Sequence, residues 1–176
     1  MLSVLMLEIV MSEIRKESVM RQLQRFQSHV FDNSNKYEIP AELINALIMV
    51  ESSGNPYAMR YEDHYRWLYN VDQIVGSMGL HRDTEVQAQK TSWGLLQVMG
   101  AVARELGCKK RFLTYLLDPK IGIEYGCMHL KNLYNRHGSW ERAVSAYNFG
   151  HVSYAENGKF RNQRYVDRVM EFKYSQ

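Results

Sequence analysis

Apolar residues recur at helical spacing through most of the chain. Val19, Leu23, Phe26 and Val30 step by 4, 3 and 4, which predicts a helix over about residues 12–31 with one apolar stripe. The polar run DNSNK at 32–36 is expected to end it. The next segment, AELINALIMVE (41–51), is apolar almost all round and so belongs in the centre of a core, with Pro40 in its first turn. SSGNP follows, where Gly54 suits a C-terminal cap and Pro56 forbids continuation. Residues 57–92 alternate aromatic and charged stretches and read as loops and short helices. Helical patterns return at about 94–106, closed by Gly107, and at 110–117, closed by Asp118-Pro119. Another covers 120–136, where Ile123, Cys127, Leu130 and Tyr134 again step by 4, 3 and 4. Ser139 is a good N-cap for SWERAVSAYN, and Gly150 closes that helix. The last helix carries Tyr165, Val169 and Phe172 on one face. No run alternates like a strand, although a short hairpin within 57–92 is compatible with the pattern. The fold class is therefore all-α. A helical extension over 1–36 is expected to pack on a body spanning 37–176, with no repeat or linker.

Composition changes this picture little. With 176 residues, 45% of them hydrophobic and 23% charged, the chain can bury a core without disulfides. Its cysteines, Cys108 and Cys127, are expected to stay as buried thiols. There is no CxxC, and six His are scattered singly, so neither a metal nor another cofactor is expected. The net charge is +3, and the densest basic stretch is only Lys109-Lys110-Arg111, which excludes a nucleic-acid groove. The apolar opening MLSVLMLEIV has no basic flank and is interrupted by Glu8. It is shorter than the roughly 20 residues of a membrane span. It is read as a helix end packing on the body, with no signal peptide and no stable membrane insertion; a true start at Met11 is an alternative. A monomer is expected.

The candidate chemistry begins at Glu51. On a helix it shares a face with Ile44, Leu47 and Ile48, at steps of 7, 4 and 3. A carboxyl on the apolar stripe of a core helix is partly desolvated, which raises its pKa and suits a general acid near neutral pH. On periodicity alone the blander alternative, a glutamate reaching from a helix end to solvent, is the stronger.

Four segments occur in order: VESSGNPYA (50–58), TSWGLLQVMG (91–100), SAYNFG (145–150) and RYVDRV (164–169). Together they resemble the motifs of the soluble lytic transglycosylase domain, glycoside hydrolase family 23, across roughly residues 37–172. The resemblance implies a lysozyme-like α fold with a sugar cleft, and peptidoglycan glycan strands as partner. It also implies cleavage of the β-1,4 bond between N-acetylmuramic acid and N-acetylglucosamine. Glu51 stands where that family has its acid/base. Gln97, Tyr147 and Asn148 match residues that position sugar and scissile bond, and Tyr165 matches a tyrosine that supports the catalytic carboxyl. Read from the residues alone, Gln97 and Asn148 flank helix ends. Their amides there either reach a sugar's N-acetyl or hydroxyl group or serve as a solvated helix start and a C-terminal cap. Tyr147 and Tyr165 pack in the core, which is compatible with a hydrogen bond toward Glu51. Trp93 serves sugar stacking or core closure. The chain departs from the family at Leu96, where Met is usual, and at Phe149, where a small residue is common. A longer gap before SWGLLQ holds Tyr57, Tyr61, Tyr65, Trp67 and Tyr69, either a wall for the glycan groove or a satellite core under a loop.

Conventional glycosidases place two carboxylates about 5–5.5 Å apart when retaining and about 6.5–9.5 Å apart when inverting. The motifs here contain one, Glu51. A lone acid/base suffices when the muramic acid C6 hydroxyl attacks C1 and closes a 1,6-anhydro ring. The alternative is a hydrolase like goose-type lysozymes, with a second carboxylate from among Glu62, Asp63, Asp83 and Glu85, each otherwise a solvated loop charge. A non-catalytic glycan-binding module is a further alternative, against which the complete motif set argues. The compact chain fits a phage endolysin held in the host cytoplasm until release to the wall.

Overall fold

The computed structural model describes residues 17–19 and 21–174. Helices dominate. In chain order they are α1 (Gln27–Tyr37), α2 (Ala41–Ser52), α3 (Val71–Met78), α4 (Arg82–Gln89), α5 (Gly100–Glu105), α6 (Pro119–His137), α7 (Trp140–Phe149) and α8 (Gln163–Tyr174), with a 3-10 turn over Leu113–Leu117. Three short strands, β1 (Met59–Tyr61), β2 (Thr91–Trp93) and β3 (Val98–Met99), form one antiparallel sheet in the order β1-β2-β3.

The largely apolar α2 lies where its composition requires. Leu43, Ile44, Ala46, Leu47 and Ile48 are buried, and α1 and α8 pack against the helix. On the other side α6 packs against α1 and α7. The ends of α6 and α7 follow from local chemistry. Asp118 accepts the Lys120 N–H with Pro119 in the first turn, and Ser139 Oγ accepts the Arg142 N–H. Gly138 and Gly150, both left-handed, close the two helices by donating to Tyr134 and Ala146. Among the described residues no helix is long and apolar enough to cross a membrane. Cys108 and Cys127 are free and buried.

Three expectations need correction. The stripe Leu23, Phe26, Val30 is buried, but the chain turns at Arg25–Phe26 and restarts as α1, which runs straight through DNSNK. Those polar residues bond within the helix instead of breaking it: Asn33 Nδ2 donates to the His29 carbonyl at 2.8 Å, and the Glu38 N–H reaches the Ser34 carbonyl. The expected part of that helix before residue 17 lies outside the described residues. The junction placed at 36/37 falls inside α1, and Leu23, Phe26 and Val30 share one core with the body.

The pattern read as a helix over 94–106 is instead a β-hairpin followed by the short α5. Gly94 (φ 70°) and Gln97 (φ 45°) are both left-handed, which no helix tolerates, and Leu95, Leu96 and Val98 are apolar because the turn itself is buried. A Cβ at Gly94 would stand 2.5 Å from the Leu116 carbonyl oxygen, so only glycine fits there. The β2–β3 hairpin thus runs past the 57–92 stretch, which supplies the first two residues of β2 and all of β1. That strand pairs Met59 with Trp93 and Tyr61 with Thr91. Strands of two or three residues leave no alternation to read.

Third, Glu85 is no solvated loop charge. It sits on α4, 1% exposed, and Arg104 of α5 grips it through Nε and one terminal nitrogen, both bonds 2.8 Å. Arg104 also donates to the carbonyls of Cys108, Lys110 and Arg111. Gln89 adds a bond to Glu85 and exchanges two more with the backbone of Tyr69. The buried pair therefore ties α5, the 108–111 loop and the aromatic stretch together.

Candidate active site

Glu51 occupies the last turn of α2, just before the chain reverses through left-handed Ser53 and Gly54. The neighbouring Ser52 hydroxyl lies 2.9 Å from the carbonyls of both Ile48 and Leu95, pinning this helix end to the β2–β3 turn. From α8, the Tyr165 hydroxyl donates to Glu51 Oε1 in a short hydrogen bond. Burial raises the Glu51 pKa above the ordinary carboxylate value, and this outweighs the Tyr165 bond and the positive charges of Arg60 and Arg168, which act the other way.

Tyr147 lies close enough to feel the same carboxyl. Its hydroxyl donates to the Leu96 carbonyl at 2.7 Å, so it braces the hairpin and does not bond Glu51. Burial, and after it the Glu51 charge, holds both Tyr147 and Tyr165 well above the usual phenol range. Behind Tyr147 lies His129 of α6, its ring 5.1 Å away; burial lowers its pKa to about 4, so it is neutral. Leu96 is buried, and its Cδ1 occupies the place a Cβ on Gly126 would need. The substitution of Leu for the family's Met thus leaves the carbonyl in use.

Gln97 is close by but fully engaged. Its Nε2 donates to the carbonyls of Ala58 (3.0 Å) and Gly94 (2.9 Å), and its Oε1 accepts from Ser92 Oγ at 2.9 Å. The amide locks the tight turn to β1, which accounts for its left-handed backbone. Asn148 is exposed at the end of α7, and its Oδ1 accepts from Asn162 Nδ2 at 3.0 Å. Asn162, which sequence reasoning did not single out, is itself fixed by Ser145, through the backbone carbonyl and the hydroxyl. Trp93 is core: 5% exposed, its indole N–H on the Ala88 carbonyl.

Of the remaining carboxylates considered as partners, Glu62 is paired with Arg60, the arginine whose charge acts on Glu51, Asp83 is exposed 3.9 Å from the His81 ring nitrogen, and the Asp63 side chain is exposed. The aromatic stretch resolves toward a surface. Tyr57, Tyr61 and Trp67 (76% exposed) face solvent, and all three residues of β1 are exposed. Phe149 is also exposed, beside His151. Among the described residues no group of three or more His, Cys, Asp or Glu side chains is placed to hold a metal ion.

Comparison with known proteins adds to this geometry. The family described as Transglycosylase SLT domain matches residues 28–168. Over 126 residues the chain is 25% identical to the membrane-bound lytic murein transglycosylase E of Buchnera aphidicola subsp. Acyrthosiphon pisum. The matched stretch covers 68% of this chain and 44% of that protein, so the chain spans less than half the relative's length.

Proposed function

Because the chain belongs to the transglycosylase SLT domain family, we propose that it is a peptidoglycan lytic transglycosylase with Glu51 as its single acid/base. The observation that carries this reading is the desolvated Glu51 carboxyl, held by the Tyr165 hydroxyl. A raised pKa keeps the acid protonated long enough to protonate the glycosidic oxygen between N-acetylmuramic acid and N-acetylglucosamine. The C1–O bond breaks, and the substrate's own N-acetyl oxygen stabilises C1. The resulting Glu51 carboxylate then removes the C6 hydroxyl proton as that oxygen closes on C1. The proton count balances, and no water is consumed.

The other residues act by position. Tyr165 orients the carboxyl. Tyr147 and Gln97 hold the hairpin beside it, and Asn148, with Oδ1 anchored by Asn162, has its Nδ2 hydrogens available to a sugar oxygen. Muropeptides released by the purified protein are expected one water lighter than hydrolysis products, ending in 1,6-anhydro rings. Mass analysis checks this, and reducing ends would favour the lysozyme-like hydrolase instead.

For the setting, the reading is a monomeric phage endolysin that waits in the host cytoplasm. Cells expressing the chain should stay intact until their membrane is permeabilised and then lose turbidity. Lysis without permeabilisation would argue for an exported wall enzyme.

A further inference from the structure

Asn162 stands where two parts of the site meet, and its bonds leave it one orientation. It immediately precedes α8, and its carbonyl accepts the N–H groups of Tyr165 at 2.9 Å and Val166 at 3.3 Å. Its backbone thus fixes the turn that carries the tyrosine bonded to Glu51. Its side chain reaches back to α7. Nδ2 donates to the Ser145 carbonyl and to Asn148 Oδ1, both at 3.0 Å, while Oδ1 accepts the Ser145 hydroxyl at 2.7 Å.

Chemistry decides the sense of these bonds. A backbone carbonyl only accepts, so the edge of Asn162 that faces the Ser145 carbonyl must be its NH2 group. The second hydrogen of that group goes to Asn148, which must therefore turn Oδ1 toward it. Ser145 is fully buried, so water does not compete for this end of the arrangement. Asn148 itself is exposed, and the hydrogens left to it are those on Nδ2. An asparagine held by nothing would show a sugar either face of its amide. A hydroxyl accepts or donates and tolerates both faces; a carbonyl or ether oxygen only accepts, and binds the NH2 face alone.

We propose that Asn162 is a positioning residue which, braced by Ser145, holds Asn148 as a fixed hydrogen-bond donor for an acceptor-only oxygen of the glycan. The inference deepens the function proposed above and rests on it for the ligand, a glycan strand. The advantage is pre-organisation: the amide is set before the sugar arrives, so binding does not have to order it.

The test follows KM and kcat on glycan strands in two variants, with thermal midpoints to confirm folding. Asn162→Asp keeps the shape and suits a helix start, but it has no hydrogen for Asn148. The Asn148 amide then turns to give Nδ2 to the new carboxylate and shows Oδ1 to the sugar. KM should rise about tenfold with kcat near wild type, the pattern of lost uniform binding. Asn162→Ala leaves the amide free to take either orientation and should raise KM only about twofold, because half the molecules still present the donor. A purely structural role predicts the reverse order, with the isosteric Asp the milder change. In an Asn148→Ala background Asn162→Asp should raise KM no further, which separates the turned amide from the added negative charge. Titration with a hexamer of N-acetylglucosamine makes the same comparison without catalysis, and Kd should follow KM. Asp no worse than Ala, or an Asp effect that survives Asn148→Ala, would overturn the positioning role and leave the proposed function intact. A wild type that binds the hexamer but releases no muropeptides would overturn the proposed function, and the order of Kd values then decides the positioning role by itself.

Discussion

Glu51→Gln is expected to lower kcat/KM for wall cleavage by roughly 10²–10⁴-fold, the range general acid–base catalysis supplies, while the protein still binds glycan. Gln has the same shape and can still accept the Tyr165 hydroxyl, but it has no proton to give to a leaving oxygen and cannot remove one from C6. Turbidity loss of purified walls, with co-sedimentation as the binding readout, separates the two effects. Wall lysis surviving the change would remove Glu51 from the reaction. The pH dependence carries the same signature. Burial raises the Glu51 pKa, so kcat/KM should hold past the ordinary carboxylate range and decline only as pH rises through the raised value. Tyr165 favours the ionised form by donating to it. Tyr165→Phe should therefore move the declining limb to higher pH, and a move to lower pH would contradict that role. Stability follows linkage. A carboxyl whose folded pKa lies above its unfolded value contributes stability below the unfolded pKa and loses it as pH rises through the folded one. Glu51→Gln is then expected to be more stable than wild type at neutral and alkaline pH, the reverse of its effect on activity.

What could be read from the sequence follows the range of the forces involved. The position of Glu51 on α2 was legible because helix periodicity is local, and the caps of α7 were legible because Ser139 and Gly150 act within a few residues of themselves. The hairpin over 91–99 was not. Its apolar residues face the core from a turn held by Gln97 bonds to Ala58, 39 residues earlier, and by the contact of Gly94 with Leu116. DNSNK misled because a helix can hold such residues without breaking: Asn33, though buried, bonds back to the His29 carbonyl, and Asp32, Asn35 and Lys36 are exposed. The motifs named Gln97, yet nothing in its spacing shows that every donor of its amide is already taken by backbone. His129 and Asn162 carried no signal of their own. Each matters only because α6 and the start of α8 bring it against Tyr147 and Asn148.

The largest stability effect is expected at the buried pair. Removing the carboxylate with Glu85→Ala strands the Arg104 guanidinium, 2% exposed, among three carbonyls with no counter-charge. Breaking a buried ion pair from one side costs about 3–5 kcal/mol. For a chain of this size that lowers the thermal midpoint by roughly 6–20 °C, since each kcal/mol shifts it about 2–4 °C. Replacing both members with apolar residues, Glu85→Leu with Arg104→Met, should recover much of the loss, because desolvation opposes the pair even when it is intact. It should not recover all of it, since the 108–111 carbonyls and Gln89 would lose their partner. Urea denaturation of the two single changes and the double gives the coupling directly. A cost below about 1 kcal/mol for Glu85→Ala is the behaviour of a surface pair, and would mean that water reaches Arg104 once the carboxylate is gone. The consequence for the site runs through Gln89, which links Glu85 to the backbone of Tyr69. When the pair is broken, the aromatic stretch loses its tie at Tyr69, while β1 stays paired with β2. Cleavage of long strands should then weaken at temperatures where the core is still folded, before Glu51 itself is disturbed.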